Sequence, residues 1–87
     1  MDQTAQSIYK RIAEIVSEVT GSELSDVTPS ADLHEDLGMS EIEIAMLVSH
    51  IEDEFEILLP KREVKRMMNV FEPVRVANLV ELVLEEV

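Results

Sequence analysis

The stretch from Glu35 to Phe55, EDLGMSEIEIAMLVSHIEDEF, constrains the fold more than any other part of this chain. A turn, Asp36-Leu37-Gly38-Met39, runs directly into a long amphipathic helix. Gly38 marks the turn because it accepts a positive φ at no steric cost. Ser40 is a good N-cap and Glu43 stands three residues on, the spacing of a capping box. Glu41 and Glu43 also suit the positive end of the helix dipole. Ile44, Leu47, Val48, Ile51 and Phe55 recur at helical spacing and form a wide apolar stripe that must face a core. Ile42, Ala45, Ser49 and Glu52 follow a second line, and Met46 is left on the flank among acids.

A chain of 87 residues leaves room for one domain with a small core. With no cysteine there is no disulfide framework, thiolate metal site or cysteine nucleophile. The net charge of -12 argues against nucleic acid, whose phosphates need clustered Lys and Arg. Disorder is disfavoured, because 46% of the residues are apolar and recur with helical periodicity. No apolar run is long enough to insert across a membrane, and no basic-then-apolar leader opens the chain, so a cytoplasmic protein is expected. Between Ile12 and Pro60 there is no Lys or Arg; Lys61, Arg62, Lys65 and Arg66 then come together. Partners of the acidic part are expected to present basic patches.

In chain order, Asp2 to Thr20 reads as a first helix capped by Asp2 or Thr4, with Ile8, Ile12, Ile15, Val16 and Val19 on one face. Lys10 and Glu14 are spaced for an outer ion pair, and Gly21 sits where a C-cap needs left-handed backbone. Ser22 to Met39 is a long loop in which Leu24, Val27, Leu33 and Leu37 are expected to tuck against the helices. The second helix runs from about Glu41 to Phe55, and Pro60 blocks its continuation. Lys61 to Met68 is a short third helix with Val64, Met67 and Met68 inward. After the linker Asn69 to Pro73, a fourth helix presents Val76, Leu79, Val80, Val83 and Leu84.

Asp36-Leu37-Gly38 before a serine-bearing helix start, followed by Ile51-Glu52-Asp53-Glu54-Phe55 and Leu59-Pro60, resembles the acyl carrier protein family. The loop order Leu24, Val27-Thr28, Ala31, Leu33, Glu35 fits the same pattern without gaps. The resemblance implies an all-α, small antiparallel four-helix bundle with a long loop between its first two helices and a short third helix. It also implies 4′-phosphopantetheine on a serine just after the turn, its thiol holding thioester intermediates. Aligned without a gap, Glu41 falls at the family's serine position, Ile42 at the apolar residue after it, and Ser40 one place early. The basic third helix is a second departure, since that element is usually acidic in the family.

Ser40 is therefore the candidate attachment residue, against a plainer reading as an N-cap alone. Glu41 is the ungapped equivalent of the family serine; a carboxylate cannot form the phosphodiester, so it marks a lost site, natural or engineered, or only a helix-start acid. Glu35, Asp36, Glu43, Met46, Glu52, Asp53 and Glu54 are candidates for partner docking, against a solvated face. Asp32, His34, Asp36, Ser40 and Glu43 have EF-hand ligand spacing, but Leu37 replaces the required glycine and His34 is a poor calcium ligand, so no metal site is expected. His34 and His50 suggest no metal pair, and no nucleophile–base pattern is readable, so no catalytic residue is assigned. The expectation is a non-enzymatic, monomeric carrier of one domain, residues 1–87. It would serve phosphopantetheinyl transferase and acyl-transfer or synthase enzymes of a fatty acid, polyketide or related pathway. The alternative is a carrier-like interaction module without the arm.

Overall fold

The first helix, α1, spans Ala5–Thr20 and begins where local chemistry can satisfy its orphan N–H groups. Thr4 Oγ1 accepts from the Ser7 N–H at 3.1 Å, and Ser7 Oγ accepts from the Thr4 N–H at 3.0 Å. This reciprocal box fixes the start at Thr4; Asp2, the other expected cap, lies outside the residues described. The structure is a computed structural model and describes residues 3–87. At the other end Gly21 adopts φ +75° and its N–H closes on the Ser17 carbonyl.

Beyond α1 come a short 3-10 turn at Leu24–Asp26 and three further helices: α2, Glu41–Phe55; α3, Lys61–Met68; and α4, Val76–Glu86. The architecture is an all-α four-helix bundle of acyl-carrier type. α1 packs against α4 and α2, and α3 leans on α2. One continuous apolar cluster draws on all four helices and on the long loop. Ile8, Ile12 and Val16 of α1, Ile44, Leu47 and Ile51 of α2, Met67 of α3, and Val76, Leu79 and Val83 of α4 are buried in it. Each buried aliphatic contributes roughly 1.5–3 kcal/mol before conformational entropy is charged, so no single helix is stable apart from this shared interior.

The long loop is stitched to the start of α4. The Leu33 N–H donates to the Val74 carbonyl at 3.0 Å, Val76 N–H to Ala31 at 3.0 Å and Ala77 N–H to Pro29 at 2.9 Å. These bonds flank an isolated antiparallel bridge between Asp32 and Arg75. Tyr9 adds its hydroxyl, donating to the Val27 carbonyl at 2.6 Å. Val27, Ala31, Leu33 and Met39 are buried as a result, and Leu37 is partly so.

Three expectations need correction. Leu24 is 51% exposed, because the Val27 N–H closes on the Leu24 carbonyl and the turn folds Val27 inward in its place. Leu84 is also an outer residue, 38% exposed, at an open apolar edge with Ala5, Tyr9 and Pro29; Leu82 packs on the core instead. Glu14 pairs with Arg11 at 2.9 Å rather than with Lys10. Arg11 also reaches Glu54 of α2 at 2.7 Å, and one cation thus serves two helices. That pairing holds the Glu54 carboxyl below the usual carboxylate range, chiefly through the Arg11 hydrogen bond, and raises the guanidinium further.

Candidate functional site at the start of α2

The start of α2 is held by a small hydrogen-bonded frame. Asp32, only 7% exposed, is its organiser. Its Oδ1 accepts from the His34 N–H at 2.9 Å and the Glu35 N–H at 2.8 Å, which makes an Asx-type turn. Its own N–H donates to Asp36 Oδ2 at 2.7 Å, and its carbonyl accepts from the Asp36 and Leu37 N–H groups. Gly38 follows at φ +60°, and the Met39 N–H returns to the Leu33 carbonyl. His34 ties this frame to α3, its Nε2 lying 2.6 Å from the Met67 carbonyl. A ring nitrogen facing a carbonyl must carry the proton, so Nε2 is the donor here.

Ser40 emerges from that frame in extended backbone, φ −79° and ψ 167°, as the N-cap of α2. The capping box forms: Ser40 Oγ accepts from the Glu43 N–H at 3.2 Å, and Glu43 Oε1 accepts from the Ser40 N–H at 2.9 Å. Ser40 and Glu41 are both exposed. The serine hydroxyl proton reaches no protein acceptor among the described residues. Ser40, Glu41, Ile42, Ala45 and Met68 line an open groove of ≈ 430 Å³ between the start of α2 and the end of α3. Ile42, 74% exposed, gives that groove an apolar wall.

A family model described as a phosphopantetheine attachment site matches residues 10–71, most of the chain. The chain belongs to that family. Members are non-catalytic carriers whose prosthetic group is 4′-phosphopantetheine. The matched region contains the whole frame, the capping box, α2 and α3, and ends before α4. A phosphodiester to this group needs a hydroxyl, and Ser40 offers an accessible one at the helix start, whereas Glu41 beside it offers a carboxylate. A phosphate on Ser40 would meet the positive end of α2 but also the carboxylates of Glu41 and Glu43.

The acids singled out in the sequence are not equivalent. Asp36 is used by the Asp32 N–H and Glu43 by the Ser40 N–H. Glu52 Oε2 accepts from the Leu59 N–H at 2.9 Å, holding the chain as it leaves α2. Glu54 is neutralised by Arg11. Glu35, Met46 and Asp53 are exposed, and no side-chain hydrogen bond or ion pair to another described residue engages either acid. Asp32 and Asp36, spaced like calcium ligands, turn their oxygens to backbone N–H groups instead. Sequence reasoning missed Asp32 as the organiser; an aspartate two and three residues before two turn N–H groups was the available signal.

Proposed function

We propose that this chain, as a single domain, is an acyl carrier that bears its phosphopantetheine arm on Ser40. It presents thioester intermediates to biosynthetic enzymes of a fatty acid, polyketide or related pathway. The observation that carries this reading is the exposed Ser40 hydroxyl, held at the start of α2 by a hydrogen-bonded turn. A rigid root and a mobile arm are what a carrier needs to meet several enzymes in turn. Phosphopantetheinyl transferase and acyl-transfer or synthase enzymes with basic patches are the partners, and Glu35, Met46 and Asp53 are the residues freest to meet them.

A second reading is favoured by one observation, that the Ser40 oxygen already serves the Glu43 N–H; it also accounts for Glu41 as the ungapped equivalent of the family serine. In that reading the chain is a carrier-like docking module without the arm. The deciding experiment is intact mass after incubation with coenzyme A and a broad-specificity phosphopantetheinyl transferase, followed by fragment mapping. One added phosphopantetheine on Ser40 is the expected result. No addition, with a control carrier fully loaded, selects the docking module; Glu41→Ser should then gain the modification.

A further inference from the structure

The third helix presents a face opposite in charge to the rest of the molecule. Arg11 is committed to Glu14 and Glu54, and Arg66 to Glu63 and Glu72. Lys61, Arg62 and Lys65 are exposed and have no ion-pair partner among the described residues. At about 100° per residue they fall within roughly 100° of the helix circumference, away from Met67 and Val64, which face the core. Large exposed apolar side chains stand just before and just after this helix. Leu58, just before α3, is 79% exposed; Val70 and Phe71, just after it, are 63% and 89% exposed.

These flanks are held in place although their side chains are largely exposed; Leu58 shares an open groove with Lys61, Val64 and Lys65. Glu52 fixes the Leu59 N–H, Asn69 Oδ1 accepts from the Phe71 N–H at 2.9 Å, and Arg66 Nε holds Glu72 at 3.2 Å. Cations flanked on both sides by exposed apolar residues form the pattern of a protein interface, where a buried aromatic and Arg supply much of the energy. We propose that α3 and its flanks are a second docking surface, for a protein partner that presents acidic residues around an apolar pocket. The chain would then meet one partner through acids on α2 and another through cations on α3.

Charge geometry favours a protein over an anionic membrane. The molecule is only 19 Å across its shortest axis and carries a net charge of -12. A charged bilayer is a plane and would meet, together with the α3 cations, acids that line the same grooves: Glu52 with Lys61 and Lys65, and Glu81 and Glu85 with Arg66. A local acidic patch on a protein meets the cations alone.

The test uses the full chain without the arm and is independent of Ser40 loading. The probes are a labelled helical peptide with glutamates flanking a leucine stripe, polyglutamate of equal charge, and phosphatidylglycerol vesicles. The expected result is peptide binding at least tenfold tighter than polyglutamate, with amide shifts confined to residues 58–71. Lys61→Glu with Lys65→Glu should weaken it at least tenfold, and Phe71→Ser severalfold, with melting temperatures near that of the parent. Equal binding of polyglutamate, or indifference to Phe71→Ser, would reduce the surface to a simple ion exchanger and overturn the proposal. Vesicle binding without peptide binding, or salt-sensitive self-association lost in the charge-reversed variant, would overturn it in favour of a membrane or a second copy.

Discussion

Ser40 has two roles that substitution can separate. As N-cap it satisfies the Glu43 N–H, and as an alcohol it is the candidate attachment point. Ser40→Ala removes both, at a cost of about 1 kcal/mol for the cap. For a chain of this size that lowers Tm by about 4–8 °C. Ser40→Asp keeps a capping oxygen and loses only the alcohol, so it should melt within a few degrees of the parent yet accept no phosphopantetheine. Thermal unfolding and intact mass on the two variants check both halves. Most of this was legible in the sequence, because a capping box is a local pattern with fixed spacing. Asp32 was not: its carboxylate matters because the chain folds back over it, and its spacing alone suggested a calcium ligand. Asp32→Ala strands the His34 and Glu35 N–H groups and should cost about 1–3 kcal/mol. Asp32→Asn, which retains an acceptor oxygen, should recover part of that loss in urea unfolding.

At the scale of elements, the four helices and their apolar stripes follow from periodicity, and α2 begins at its expected cap; it ends at Phe55, where Glu56 turns into left-handed backbone, and Pro60 stands instead at the start of α3. What periodicity missed lies between elements. Glu14 pairs with Arg11, three residues back, rather than with Lys10, four back, and the same Arg11 spans to Glu54 of α2, a tertiary contact that local spacing does not show. The Arg11–Glu54 pair also gives the α1–α2 contact a pH dependence of known sign. Glu54 has its pKa lowered in the folded state, so its contribution is present above the unfolded value of about 4.3 and is lost as pH falls through the lowered folded value. Both side chains are about two-fifths exposed, at 43% and 39%, so solvent screening keeps the contribution within about 0.2–1 kcal/mol. Arg11→Gln should therefore be slightly less stable than the parent at pH 7. The gap should close towards pH 2, with denaturant midpoints as the measure.

For the whole molecule, the uneven charge is the property that sequence showed and folding refined. Counting acids could not reveal that Asp36 and Glu52 each support a backbone N–H, because those bonds exist only once turn and helix exit are assembled, whereas the Glu43 bond was legible from the capping-box spacing. Substituting them would mix lost docking with lost stability. Glu35 and Asp53 have no such duty, so they isolate the electrostatic part. Glu35→Gln with Asp53→Asn should leave Tm unchanged or slightly raised, since removing like charge from a chain at -12 relieves self-repulsion. The same variant should bind a basic partner, with phosphopantetheinyl transferase as the first to try, more slowly, with the loss concentrated in the association rate. The deficit should be largest at low salt and fade as ionic strength rises and the Debye length shrinks below the separation of the charges. Stopped-flow association at several salt concentrations measures this directly. A rate indifferent to both salt and the double substitution would place the contact elsewhere than the acidic face of α2.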